Sequence, residues 1–124
     1  MKPLMKISVL ALVIAAFAFI PPKHNVVGNW RITYSDGTTE HVDFKSDGTF
    51  KSYGETGKTT HNGIYKFSGD TMSINDKEGC GDTYWATYKI TFFGKDSASN
   101  TAIEDSCSGR REAINGAGLK RIKN

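Results

Sequence analysis

The feature that most constrains this chain is a series of short alternating segments separated by tight-turn residues. From Trp30 onward, apolar and polar residues alternate, and clusters of Gly, Asp, Asn and Ser interrupt the alternation roughly every 8–12 residues, as in an antiparallel meander. A period of two places successive side chains on opposite faces of a strand, and Asp-Gly or Gly-Asp pairs tolerate the positive φ angles of tight hairpins. The pattern therefore predicts short antiparallel strands, and no helical period competes with it.

Eight strands can be placed on this pattern. The inward faces of the first three carry Trp30, Ile32 and Tyr34, then Val42 and Phe44, then Phe50. The other five are expected near residues 62–67, 71–74, 84–93, 101–105 and 118–122. Within the longest strand, Trp85 is expected to point outward, and the residues expected to point inward are Tyr84, Ala86, Tyr88, Ile90 and Phe92.

Eight hairpin-linked strands can avoid exposed sheet edges by closing into a barrel. As an open sheet they would expose two edges, whereas closure into an up-and-down barrel removes both. We therefore predict an all-β fold, an eight-stranded antiparallel barrel. A barrel of this strand number has an interior that is either filled by side chains or holds one small ligand, and the sequence leaves both alternatives open.

The first twenty residues have the composition of a secretory signal peptide. Lys2 and Lys6 precede an uncharged run that ends at Ile20, and a small-x-small cleavage motif ends at Ala18. The run is shorter than the ~20 residues of a membrane-spanning helix, and Pro21 ends any helix there. We expect residues 1–20 to be a signal peptide, with an uncleaved anchor as the alternative. Residues 21–124 then form one exported domain, periplasmic or secreted, without a stable membrane span.

The charge of that domain is close to neutral. Two of the 16 basic residues lie in the leader and all 13 acidic residues lie beyond it, which leaves a net charge of +1. Nucleic-acid binding requires a basic field, and the cationic cluster of this chain, Lys120, Arg121 and Lys123, lies at its C-terminal end. We therefore expect no nucleic-acid partner.

Trp30 follows Gly28 at the start of the first strand, where an indole can cover the floor of a barrel. Gly28 lets the backbone pass close by at this entrance. Because the first and last strands meet when a barrel closes, Arg121 is expected to lie across the ring of Trp30 as a cation–π lid. The alternative for Arg121 is a solvated charge in the C-terminal tail.

With these features in order, the chain resembles the small exported lipocalin-like (calycin-type) domains of bacteria. The motifs that carry the resemblance are Gly-x-Trp at 28–30, Phe-x-x-Asp-Gly-Thr-Phe at 44–50, Gly-x-Tyr at 63–65, Gly-Asp-Thr-apolar at 69–72 and Tyr-Lys-Ile-Thr at 88–91. The resemblance covers nearly all of the chain beyond the leader. It implies an extracytoplasmic barrel whose ligand is often unknown.

The interior is expected to be rich in aromatic side chains. These residues form the core first and the lining of a ligand site second. The hydroxyls of Tyr65 and Tyr88 are candidates to point toward the open rim and contact a polar ligand head. The predicted ligand-binding residues are Trp30, Phe44, Phe50, Tyr65, Phe67, Tyr88 and Phe92.

The two cysteines are predicted to form a disulfide. Cys80 precedes the sixth strand and Cys107 follows the seventh, so both fall at the same rim of an antiparallel meander. Exported proteins with an even number of cysteines usually pair them. A redox pair or metal thiolates are the less favoured alternatives, because the chain has no Cys-x-x-Cys motif.

No catalytic set, metal site or cofactor is predicted. His41 and Asp43 share the outward face of the second strand, as a catalytic pair or, more favoured, as a solvent-facing polar stripe. Asp76 and the acids near it, Glu78 and Asp82, lack the spacing of a calcium loop and are interpreted as part of a solvated rim loop. The Glu104-Asp105 pair is interpreted as surface charge at a strand end.

The sequence thus favours a non-enzymatic exported binding protein. Its ligand is a small hydrophobic or amphipathic molecule held in the barrel or at its mouth. The alternative is a protein-interaction module, such as a secreted hydrolase inhibitor with an extracytoplasmic protein partner, acting through rim loops at residues 52–61 and 76–82. An enzyme is least favoured, because no nucleophile, base and metal can be assembled from the sequence.

Overall fold

The computed structural model describes residues 24–76, 80 and 85–123. The predicted signal peptide and Tyr84 lie outside these residues. Eight strands form a closed barrel in which each strand pairs with its neighbours in chain order and the last pairs with the first. They are β1 (Gly28–Thr33), β2 (Thr39–Phe44), β3 (Thr49–Tyr53), β4 (Thr59–Ser68), β5 (Thr71–Asp76), β6 (Ala86–Phe92), β7 (Ser97–Glu104) and β8 (Gly118–Arg121).

Every strand pair is antiparallel, so the predicted eight-stranded antiparallel barrel is confirmed. Trp30 faces Arg121 where β1 and β8 close the ring. The predicted alternation also holds in β6, where Ala86, Tyr88 and Ile90 are buried. Trp85, just before β6, is 39% exposed, as expected of an outward residue.

Two elements differ from the sequence expectation. A helix, α1 (Ser108–Ile114), connects β7 to β8, although no helix was predicted. With seven residues and none of them buried, it is too short and too exposed to show a helical period. Strand β7 begins at Ser97, four residues before the predicted start at 101. Its first residues are small and polar like a turn, but they pair with both β6 and β8.

The repeated Asp-Gly-Thr turns have the same construction in the β1–β2 and β2–β3 hairpins. Asp36 accepts hydrogen bonds from the Thr38 N–H (2.9 Å) and hydroxyl (2.6 Å), and Asp47 accepts the same pair from Thr49 at the same distances. These bonds lower the pKa of both carboxyl groups. Gly48, at φ +88°, takes a conformation that side chains disfavour.

The floor of the barrel is closed by Trp30, which is 0% exposed. Its indole N–H donates to the Val26 carbonyl at 2.8 Å. Arg121 lies over the ring with its guanidinium carbon 4.2 Å from the centroid, in agreement with the expectation from barrel closure. A Cβ at Gly28 would lie 2.6 Å from Arg121 Nη1, so only glycine leaves space for the guanidinium.

Candidate functional site

The end of the barrel opposite Trp30 carries a cleft of about 450 Å³. A smaller cavity of about 60 Å³ lies between the walls of the barrel. The cleft and the cavity adjoin, because five side chains line both spaces; they are Tyr34, Phe50, Ser52, Ile74 and Ile114. We call the cleft and the cavity together the mouth site.

Helix α1 borders the mouth site and is held at both ends. At its start, Cys107 forms the predicted disulfide with Cys80, with a Cα–Cα distance of 6.0 Å. At its end, Ser35 donates its N–H to the Ala113 carbonyl (3.2 Å) and its hydroxyl to the Glu112 carbonyl (2.6 Å). The β1–β2 turn and the disulfide therefore fix the helix over the barrel end.

A buried ion pair lies beneath the start of α1. Arg110 donates to both carboxylate oxygens of Asp105, from Nε at 2.9 Å and from Nη2 at 3.0 Å. The Cys107 N–H (2.9 Å) and the Tyr88 hydroxyl donate to the same carboxylate, which is 0% exposed. The interpretation of Asp105 as surface charge was therefore wrong, whereas Glu104 beside it is exposed. The arginine partner lies on a helix that the sequence did not predict.

The hydrogen bonds within this cluster decide its protonation. Burial acts to raise the pKa of Asp105, but the donors on Arg110, Tyr88 and Cys107 together outweigh it and lower the pKa. Burial raises the pKa of Tyr88, and its hydrogen bond to Asp105 adds to the increase. Asp105 is therefore ionised and Tyr88 is a neutral donor at neutral pH.

A second set of ionisable groups lies in the cleft itself. His61 Nδ1 is 3.1 Å from Asp76 Oδ2, an ion-pair contact that lacks the alignment of a good hydrogen bond. The Asp76 side chain is only 10% exposed, so its assignment to a solvated rim loop was wrong. Asp76 is the last residue of β5 and pairs with Gly63 of β4, and this pairing places its side chain inward. Glu40 lines the same cleft and accepts the Thr60 hydroxyl at 2.6 Å.

Tyr34 lies at the centre of this electrostatic environment. It directly follows β1 and lines both parts of the mouth site. Burial raises the pKa of its hydroxyl most, and the carboxylates of Glu40, Asp76 and Asp36 raise it further, in that order. The phenol therefore remains neutral in a field that three acidic side chains make negative.

Ser52, His61 and Asp76 bring a hydroxyl, an imidazole and a carboxylate to the same cleft. Ser52 and His61 are directly opposite each other on β3 and β4. Within the described residues, however, no hydrogen bond joins Ser52 to His61, so the group lacks the link between nucleophile and base that a catalytic triad requires. Sequence reasoning missed the group because the three residues come from three strands.

The predicted ligand-binding aromatics are divided between two regions. Phe44, Phe50 and Tyr88 line the inner cavity. The Tyr65 hydroxyl donates to the Lys45 carbonyl (2.6 Å) at the closed end, so the expectation that it faces the rim was wrong. The remaining predicted residues pack around the floor and outside the cavity lining; they are Trp30, Phe67 and Phe92.

Asn100 is a site residue that the sequence did not indicate. It lies on β7, lines the inner cavity and is 2% exposed. Its side-chain oxygen has no hydrogen-bond partner in the described part of the chain. Buried acceptors are rarely left unpaired, so this oxygen marks a position where a donor is favoured. Asn100 falls between the strands predicted at 84–93 and 101–105, so the alternation pattern did not include it.

The outer wall carries the polar stripe expected around His41. Its Nε2 lies 3.4 Å from Glu55 Oε2, on the turn between β3 and β4. The catalytic alternative had paired this imidazole with Asp43. Among residues 24–76, 80 and 85–123, no three His, Cys, Asp or Glu side chains are grouped closely enough to hold a metal ion.

Comparison with known proteins gives no identification: no protein-family model, no curated protein and no solved structure matches this chain. The closed eight-stranded barrel is thus the class that the structure defines, and the assignment of a function depends on the mouth site. In the described part of the chain, no helix has the length and apolar character needed to cross a membrane.

Proposed function

We propose that this chain is an exported, non-enzymatic, lipocalin-like binding protein that holds a small amphipathic molecule at the barrel mouth. The polar head of the ligand occupies the cleft, and a short apolar end enters the inner cavity. The observation that carries the proposal is that an apolar cavity adjoins a cleft lined by ionisable side chains at one end of the barrel. The Cys80–Cys107 disulfide is compatible with export.

The two volumes limit the size of the ligand. The inner cavity, at about 60 Å³, is far below the ~300–1,000 Å³ of ordinary ligand pockets, whereas the cleft, at about 450 Å³, falls within that range. A long fatty chain therefore does not fit inside the barrel. A molecule with a head group and a few apolar carbons fits the combined space.

The proposal is tested with six-carbon amphiphiles that differ only in the head group: hexanol, hexylamine and hexanoate. Binding is measured by titration calorimetry and native mass spectrometry. We expect at least one of them to bind, and Ser52→Leu to lower its affinity by about tenfold or more, because the larger side chain takes up volume in both the cleft and the cavity, which Ser52 lines.

Ser99→Leu is the matched control, since Ser99 lies on the outer wall and lines an external groove. It should leave the affinity unchanged. Binding of none of the three probes, or equal effects of the two substitutions, would reject the mouth site.

The second candidate is a protein-interaction module, such as a hydrolase inhibitor. It is favoured by the turn between β3 and β4, in which Glu55 and Lys58 are exposed. The other rim loop in this hypothesis, residues 76–82, lies mostly outside the described residues. Inhibition of an extracytoplasmic hydrolase that is lost in a Glu55→Ala, Lys58→Ala double variant would support this function over the first.

A further inference from the structure

Among the described residues, acidic groups predominate in the lining of the mouth site. Three carboxylates of the described lining border the cleft, on Asp36, Glu40 and Asp76. Arg110 also lines it, but two of its nitrogens are engaged by the fully buried carboxylate of Asp105. That pair is neutral as a unit. The remaining basic group in the described lining is His61, whose Nδ1 is 3.1 Å from Asp76 Oδ2, so the carboxylates of the described lining outnumber its basic side chains.

A second observation, independent of the acids, also calls for a donor. The Asn100 side-chain oxygen is an acceptor without a partner among the described residues. Its position follows from the register: Ser99 and Thr33 both pair with Gly118, so the next residues, Asn100 and Tyr34, lie at one level of the barrel on either side of β8. Both line the inner cavity, and Tyr34 also lines the cleft.

The unpaired acceptor lines the inner cavity, the acidic groups line the cleft, and Tyr34 lines both spaces. A group placed beside Tyr34 lies between the amide oxygen of Asn100 and the carboxylates of the cleft. Ammonium and guanidinium groups match both, because they are donors and carry positive charge. A carboxylate or phosphate head group would meet like charge and would offer no donor to Asn100.

We infer that the head group recognised at the mouth site is an organic cation, so that the ligand is a small amphipathic amine. This inference rests on the proposed function of the mouth site and specifies its ligand class. Glu40 and Asp76 attract the charge, Asn100 accepts an N–H, and the apolar cavity walls receive the carbon chain. Tyr34 lies beside the charge, because it lines both spaces.

The same three probes test this inference. We expect hexylamine to bind about tenfold or more tightly than hexanol, and hexanoate to bind most weakly, since an ion pair in a partly buried cleft is only partly screened by water. Raising the salt concentration should weaken the binding of hexylamine and leave that of hexanol nearly unchanged.

Asp76→Asn should reduce the affinity for hexylamine by about tenfold and have little effect on hexanol. Asp43→Asn, the same substitution on the outward face of β2, should affect neither. Because Asp76 also contacts His61, Glu40→Gln provides a second test: its amide oxygen still accepts the Thr60 hydroxyl, but its charge is absent.

The outcomes separate the two proposals. Preference for hexylamine that both cleft variants reduce supports the cation site. Binding of hexanol or hexanoate as tight as that of hexylamine overturns the cation site but retains an amphiphile site at the mouth. Failure of all three probes to bind overturns the amphiphile function and the cation site with it.

Discussion

At the scale of single residues, the closed and open ends of the barrel use arginine in two different ways. Arg121 lies at the floor, where its N–H groups donate to the carbonyls of Asn25, Val27 and Lys95 while its plane covers Trp30. Arg110 lies near the mouth and binds one carboxylate with two nitrogens. The first arginine ties chain segments together, and the second neutralises a charge that α1 covers.

Asp105→Asn tests the buried pair. The substitution leaves Arg110 without its counter-charge, and breaking a buried pair in this way typically costs about 3–5 kcal/mol of unfolding free energy. Urea unfolding measures the loss. Glu104→Gln, the neighbouring exposed position, should change stability by less than about 0.5 kcal/mol. Equal values for the two variants would show that Asp105 behaves as a surface charge after all.

The pH dependence of stability gives a second view of Asp105. Its pKa is lower in the folded than in the unfolded chain, so its contribution is complete above the ordinary carboxyl pKa of about 3.9 and is lost as the pH falls through the folded value. Unfolding free energies of the wild type should therefore decline below about pH 4 more steeply than those of Asp105→Asn. Parallel curves would contradict the shift.

Gly28→Ala tests the floor. Gly28 has φ +129°, and a Cβ there would lie 2.6 Å from Arg121 Nη1, so the guanidinium must leave its position over Trp30. We expect a loss of about 1–3 kcal/mol in unfolding free energy and a change in Trp30 fluorescence. Gly54→Ala, where a Cβ meets no atom within 4 Å, is the control and should have a small effect.

At the scale of elements, the strands follow from local patterns, whereas the helix and the site do not. Alternation and Asp-Gly turns indicated the strands because each signal lies within about ten neighbouring residues. The mouth site instead draws Tyr34, Glu40, His61, Asp76 and Asn100 from different strands or their ends. Their grouping depends on the register between strands, which no local pattern contains. Asp105 was misread for the same reason, since its partners lie on β6 and α1.

Removal of the disulfide should destabilise helix α1 more than the strands of the barrel. Replacing both Cys80 and Cys107 by Ser removes one anchor of α1 and is expected to lower the unfolding free energy by about 3–4 kcal/mol for a sequence separation of 27 residues. Hydrogen exchange should accelerate most in the amides of α1 and least in β1 and β2. Uniform acceleration along the chain would show that the bridge stabilises only the whole barrel.

At the scale of the whole molecule, closure joins the two ends of the described chain. β8 contains only four residues, yet it pairs with β1 and β7 and removes both sheet edges. Beyond it, the Ile122 N–H donates to the Asn29 carbonyl at 2.8 Å. The floor, with Trp30 and Arg121, therefore requires β8. The mouth site requires it too, because Asn100 and Tyr34 are aligned through β8.

This dependence predicts a sharp boundary in C-terminal truncation. A chain ending at Ala117 lacks β8, exposes the edges of β1 and β7 and removes the arginine over Trp30, so it should be unfolded or aggregated. A chain ending at Ile122 retains the whole closure and should remain a folded barrel. Far-UV circular dichroism, size-exclusion chromatography and Trp30 fluorescence distinguish the two. A folded, soluble chain ending at Ala117 would mean that the other seven strands form a stable fold without β8.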